Sequence, residues 1–153
     1  MRLALYQPDI PQNTGTILRL AACMNTPVDI IGPAGFDMSD RSLRRSGLDY
    51  LDHVDLTRHV SWEAFLLNRK GLGLILLTSR ANSSHVDFAF HKDDVLLLGR
   101  ESAGVPDHVR EAADQTLRIP MRPDMRSLNI AVAAAMVLGE ALRQTGGFPA
   151  PSP

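Results

Sequence analysis

Two segments hold the residue types best suited to build a ligand site: GRESAGVP, Gly99 to Pro106, and IPMRPDMRSLN, Ile119 to Asn129. Each follows a short apolar run that reads as a buried strand, Val95 to Leu98 before the first and Leu117 to Ile119 before the second. Glycine- and proline-rich turns at strand ends bring backbone N–H and C=O groups together, and such groups hold a small polar ligand by its edges. In open α/β sheets, ligands bind beyond the carboxyl ends of the strands. The pattern points to a ligand site assembled from backbone. Gly99 and Gly104 suit it because they allow close approach, and either can take a positive φ.

Other chemistry-bearing residues are sparse. Arg19 lies on the helix face opposite Ile17, Leu20 and Met24, free to point out of the core. The lone Cys23 cannot form an internal disulfide, and its apolar neighbours mark it as a core thiol rather than a nucleophile. Histidines at 53, 59, 85, 91 and 108 show no ligand spacing, so no metal is expected. Net charge is −1 with a pI near 6.5, so a nucleic-acid partner needs a local basic patch. The pairs Arg44–Arg45 and Arg122/Arg126 fit either such a patch or an ordinary solvated surface.

The elements that position these residues alternate between strand and helix. Leu3 to Leu5 forms a strand ending at Gln7-Pro8, and Asn13 caps a helix with Ile17, Leu20, Ala21 and Met24 at helical spacing. Val28 to Ile31 is the next strand, closed by Gly32-Pro33. A polar stretch from Gly35 to Tyr50 carries a short helix around Ser39 to Arg45 and a turn at Gly47, and Leu51 to Leu56 forms a short strand. Ser61 caps a helix bearing Trp62, Phe65 and Leu66. The continuous apolar runs Leu72 to Leu77 and Val95 to Leu98 are strands covered on both faces. Pro106 opens a helix, and a last helix runs from about Leu128 to Thr145, stopped by Gly146-Gly147 before a frayed tail. Ser127 and Asn129 sit where its cap belongs.

This last helix is apolar nearly all round, with small residues at Ala131, Ala133, Ala134, Ala135 and Gly139. Either it is buried within the domain or its outer face meets a second subunit, and we expect a homodimer. At 153 residues the chain reads as one domain, with enough length to bury about 70% of its unfolded surface. No apolar run approaches the ~20 residues of a membrane span, and a cytoplasmic location is the default expectation. The fold class expected is α/β, a parallel sheet flanked by helices.

At this point the residues resemble a known family. PQNTGTILR (Pro11 to Arg19), GRESAGVP (Gly99 to Pro106) and IPMRPDMRSLNIAVAAAMVLGEAL (Ile119 to Leu142) resemble the three motifs of the SPOUT superfamily of RNA methyltransferases, in the same order and across essentially the whole chain. GFDMSDRSLRRSGLDY, Gly35 to Tyr50, and the lack of an added RNA-binding domain are similar to the small tRNA (cytidine/uridine-2′-O-)-methyltransferases acting on the anticodon wobble nucleotide.

The resemblance implies a C-terminal deep trefoil knot, a homodimer whose two subunits complete each site, and S-adenosylmethionine as cofactor. Carried over, the cofactor-binding positions are Leu77, Thr78, Gly99, Gly104, Ile119, Met121, Ser127 and Leu128. Arg19, Asn13 and Glu101 become the catalytic positions, with Glu101 organising its loop through Asn13 or Arg19. Arg44, Arg45, Arg122 and Arg126 become candidates for tRNA phosphates. Asn13 equally suits a plain helix cap, and Glu101 an exposed turn. Arginine is a poor general base, so Arg19 is expected to clamp a phosphate or the developing alkoxide. The chain departs from the family at Ala131, where many members have serine, and at Gly139, where such enzymes can carry tyrosine.

Three other readings compete with wobble methylation. One is the same reaction at another tRNA or ribosomal RNA site. Another is a knotted RNA-binding protein without turnover. A dinucleotide-binding enzyme is disfavoured, because GRESAGVP is not G-x-G-x-x-G.

Overall fold

The computed structural model describes residues 1–39, 41, 43, 50–69 and 73–150. Among these residues seven strands form one sheet: β1 Arg2–Tyr6, β2 Val28–Ile31, β3 Leu56–His59, β4 Leu74–Leu77, β5 Ser83–Ser84, β6 Val95–Leu98 and β7 Gln115–Arg118. Their order across the sheet is β3-β2-β1-β6-β4-β7-β5, and every neighbouring pair is parallel. Helices α1 Pro11–Cys23, α2 Trp62–Asn68 and α3 Asp107–Glu111 lie in connections between strands, and α4 Ile130–Thr145 follows the last strand.

Strand alternation divides the core into two layers. Leu3, Leu5, Ile30, Ile75, Leu96 and Leu98 face α1 and α4, meeting Ile17, Leu18, Ala134, Val137 and Leu138. Ala4, Tyr6, Ile31, Leu74, Leu76, Val95 and Leu97 face the other way, toward Trp62, Phe65 and Val109. The continuous apolar runs at β4 and β6 follow from this double coverage, because every residue of a central strand meets a helix layer.

Several expected details change. Asn13 does not cap α1, whose N-cap is Ile10; Pro11, with φ already set for helix, takes the first turn, and this leaves Asn13 inside it. Leu51 to Leu56 is not one strand: Leu51–His53 makes a 3-10 turn, and pairing with β2 starts at Leu56. Pro106 precedes α3 as its N-cap rather than lying within it. The strand expected at Leu117 to Ile119 pairs as Gln115–Arg118. Cys23 is exposed at the end of α1, so it is no core thiol. Ser61 does cap α2, accepting a hydrogen bond from the Ala64 amide at 3.2 Å, a contribution of about 1 kcal/mol.

α4 also resolves its two alternatives in part. Ala131, Ala134, Val137, Leu138, Ala141 and Leu142 are buried against the domain, whereas Val132 and Met136 stay about half exposed on the far side. Asn129 caps it, and Gly146 ends it at φ +63. Of the expected helix over Ser39 to Arg45, Arg41 and Leu43 are helical while Ser39 lies in a bend, residues 40, 42, 44 and 45 lie outside the described residues, and so do residues 151–153 of the expected tail.

Candidate functional site

β6 sits between β1 and β4, and β4 pairs with β7, so Leu77, Leu98 and Leu117 end side by side. The Thr78 amide donates to the Leu117 carbonyl at 2.9 Å, which ties the β4 turn to β7. The segments that follow these strands, after Leu77, Leu98 and Arg118, enclose one cleft of about 430 Å³. That volume lies within the ~300–1,000 Å³ range of small-molecule sites.

Every expected cofactor position lines this cleft: Leu77 and Thr78 from the first turn, Gly99 and Gly104 from the second, and Ile119, Met121, Ser127 and Leu128 from the third. Leu76, Leu77, Leu98, Leu117 and Ile119 supply apolar lining, while Thr78, Ser79, Arg80, Arg100, Glu101 and Arg110 supply polar and charged lining. A lining that mixes apolar residues with polar and charged ones matches the needs of an adenosine ring joined to a charged amino-acid tail.

The two glycines have different reasons to be glycine. A Cβ at Gly99 would lie 2.8 Å from the carbonyl carbon of Gly104, inside any tolerable contact. Arg100 and Gly104 exchange backbone hydrogen bonds at 2.9 and 2.8 Å, which closes the turn upon itself. Gly104 has φ +66 with open space around it, so conformation alone explains it. Gly99 carries no positive φ; its constraint is closeness to the turn's other end.

A polar array runs along the rim. Glu101 Oε1 accepts from Asn13 Nδ2 at 3.4 Å, and Asn13 Oδ1 accepts from Asn129 Nδ2 at 2.9 Å. Asn129 Oδ1 meanwhile accepts from the amides of Ala131 and Val132 at 2.9 and 3.3 Å. Glu101 therefore reaches Asn13 and not Arg19. Asp9, which sequence reasoning missed, completes the array: its amide donates to Glu101 Oε2 at 3.1 Å, and its Oδ1 accepts from the Glu101 amide at 3.2 Å. Hydrogen bonding with Glu101, then with Ser102, holds Asp9 down to about 2. Burial, then Asp9, pushes Glu101 above the ordinary glutamate value. The only sequence signal for Asp9 was its place between two prolines at a strand-to-helix turn.

Arg19 stands outside the cleft. It lies six residues beyond Asn13, about 9 Å further along α1, with its guanidinium 4.9 Å from the centre of the Tyr50 ring. Arg122 and Arg126 are exposed on the third turn and do not line the cleft. Arg44 and Arg45 lie outside the described residues. Among the described residues, no cluster of His, Cys, Asp and Glu is arranged to hold a metal ion. No helix among them is long and apolar enough to cross a membrane.

Known proteins resemble this chain in sequence and fold. Residues 1–139 match the model of the SpoU rRNA Methylase family. A tRNA (cytidine(34)-2′-O)-methyltransferase of Beijerinckia indica is 61% identical over 148 residues, covering 95% of this chain and 92% of its own. The enzyme of that name from Escherichia coli K12 is 40% identical over 148 residues, covering 95% and 94%. A solved structure described as "Structural insights into the 2-OH methylation of C/U34 on tRNA" superposes with a TM-score of 0.88 at 44% identity, covering 94% of both chains. The AviRb methyltransferase of Streptomyces viridochromogenes, solved in complex with AdoMet, gives a TM-score of 0.81 at 30% identity over 94% of this chain and 60% of that one. This chain belongs to the SpoU rRNA methylase family.

Proposed function

We propose that the protein is an S-adenosylmethionine-dependent tRNA ribose 2′-O-methyltransferase acting on the cytidine or uridine at the anticodon wobble position. The observation that carries this reading is the convergence of three strand-end segments on one cleft, with all eight expected cofactor positions on its wall. The identity of 61% to a cytidine-34 methyltransferase across nearly the whole chain supports the substrate.

When bound, S-adenosylmethionine supplies a methyl group on a positively charged sulfur. The chain's own task is then to hold the donor, align the ribose hydroxyl and accommodate the charge that develops as its proton leaves. Leu77, Ile119, Met121 and Leu128 provide apolar walls for the adenine, and the Gly99–Gly104 turn brings backbone close to the donor. Asn13 and Asn129 present a fixed amide pair at the rim. Arg19 neutralises the phosphate beside the acceptor, or the developing alkoxide, as a clamp rather than a base. Arg122 and Arg126, with Arg44 and Arg45, contact tRNA phosphates and so fix the register of the RNA.

The working form in this proposal is a homodimer. Val132 and Met136 stand one helical turn apart on the outer side of α4, and they are 48% and 45% exposed. A second copy covering this face brings its Arg19 toward the cleft that a single chain leaves without it. We also propose that residues 1–153 act as one methyltransferase domain in the cytoplasm, with the C-terminal part tied in the family's trefoil knot. Incubation with tritiated S-adenosylmethionine and bulk tRNA tests the reaction. Label in tRNA supports it, and cofactor binding without label in any RNA favours a non-catalytic RNA-binding protein.

A further inference from the structure

We propose that Asp9 is a positioning residue for methyl transfer, clamping the tip of the Gly99–Gly104 turn from the loop between β1 and α1. The inference rests on the functional reading above. Asp9 is absent from the cleft wall, so it acts through other residues.

Three consecutive residues of the turn converge on it. The backbone amides of Asp9 and Glu101 each donate to the other residue's carboxylate, at 3.1 and 3.2 Å. The Ser102 hydroxyl donates to Asp9 Oδ2, and Arg100 Nε lies 3.7 Å from the same oxygen. A reciprocal pair of this kind fixes both partners in orientation as well as in distance. The residues joined are 92 apart in sequence, so nothing local enforces the contact.

Asp9 is also held from behind. A Cβ on Gly35 would lie 2.8 Å from the Asp9 Cβ, and the Gly35 amide donates to the Pro8 carbonyl at 2.8 Å. The loop after β2 therefore forms a wall that stops Asp9 retreating from the turn. A bulkier residue at position 35 would push the clamp out of place.

The consequence falls on Glu101. With Oε2 taken by the Asp9 amide and Oε1 facing Asn13, its carboxyl has both oxygens engaged and is poorly placed to accept a substrate proton. Its role is to aim Asn13, whose other end holds Asn129 at the N-terminus of α4. Asp9 thus sets the geometry of a relay linking the first, second and third motif segments without touching donor or acceptor.

The test compares wild type with Asp9→Ala, Asp9→Asn and Ser102→Ala, using steady-state methylation of tRNA transcript and calorimetric titration of S-adenosylmethionine. Asp9→Ala is expected to lower kcat on the order of 10- to 100-fold, because small misplacements in a site cost that much, with KM for tRNA and cofactor affinity changing far less. Asp9→Asn keeps an oxygen for the Glu101 amide and is expected to recover part of the loss. Ser102→Ala removes the exposed hydroxyl that donates to Asp9 at the edge of the cleft, so it carries the test if Asp9→Ala does not fold; it is expected to lower kcat several-fold with cofactor affinity unchanged, and by less in a folded Asp9→Ala background. Unchanged kcat in folded Asp9→Ala, or in Ser102→Ala when that variant stands in, overturns the clamp. So does a loss confined to KM. A wild-type protein that binds cofactor but transfers no methyl overturns the functional reading instead, and the clamp with it.

Discussion

The side-chain amide of Asn129 donates to Asn13 Oδ1 at 2.9 Å, while the oxygen of the same Asn129 caps α4. One residue therefore both starts a helix and orients the rim of the cleft. The two duties are separable. Asn129→Ala loses both and is expected to destabilise the fold by about 1 kcal/mol, lowering Tm by about 2–4 °C. Asn129→Ser keeps a capping oxygen but offers Asn13 no amide. Its Tm is expected to return toward wild type while kcat stays low, and calorimetry beside methylation kinetics checks the split.

Arg19 stands over Tyr50, away from the cleft of its own chain. Arg19→Ala is expected to abolish methyl transfer while leaving S-adenosylmethionine affinity nearly intact, because the guanidinium serves the acceptor. Arg19→Lys retains charge without the planar fork and is expected to restore little. Loss of cofactor binding in folded Arg19→Ala, measured by titration calorimetry, would contradict this role.

The glycines of the second turn should respond unequally. Gly99→Ala places a methyl against the Gly104 backbone and is expected to cost about 1–3 kcal/mol and to weaken cofactor binding strongly. Gly104→Ala meets no atom, and only its positive φ is strained, at about 1–2 kcal/mol. Urea unfolding and cofactor titration of both variants check the order.

Asp9 and Glu101 titrate as a pair, with opposite signs. Asp9, lowered to about 2 from 3.8, stabilises the fold above its unfolded value, and this contribution fades as pH falls toward about 2. Glu101 is raised, so its contribution is complete below its unfolded value and disappears as pH rises through its folded one. Glu101→Gln removes the second dependence. Its stability relative to wild type is expected to improve as pH rises above the ordinary glutamate value of 4.5, and urea denaturation over a pH series would show it. A constant difference would speak against the pairing.

What the sequence disclosed follows from how local each cause is. Val95 to Leu98 was legible because a strand covered on both faces must be apolar throughout, and Ser61 because a cap acts within one turn. The cleft residues were legible from motif order and resemblance, since no periodicity reports that Leu77, Gly99 and Ile119 meet. β5 was missed because Ser83 and Ser84 carry no apolar signal and owe their extension to pairing with β7. Asn13 was misread as a cap because Pro11 starts the helix ahead of it; its contact with Glu101 was among the expectations of the resemblance, but that with Asn129, 116 residues away, was not. Asp9 was invisible because its partner Glu101 lies 92 residues away. Cys23 was misread because apolar neighbours in sequence do not fix which side of a helix end a residue faces.

The most direct measurement is mass spectrometric mapping of an unmodified tRNA transcript after incubation with the protein and S-adenosylmethionine. The account predicts one added methyl on the ribose at nucleotide 34, absent when Arg19→Ala replaces wild type. A methyl group at another nucleotide, on a base, or nowhere despite bound cofactor would contradict it.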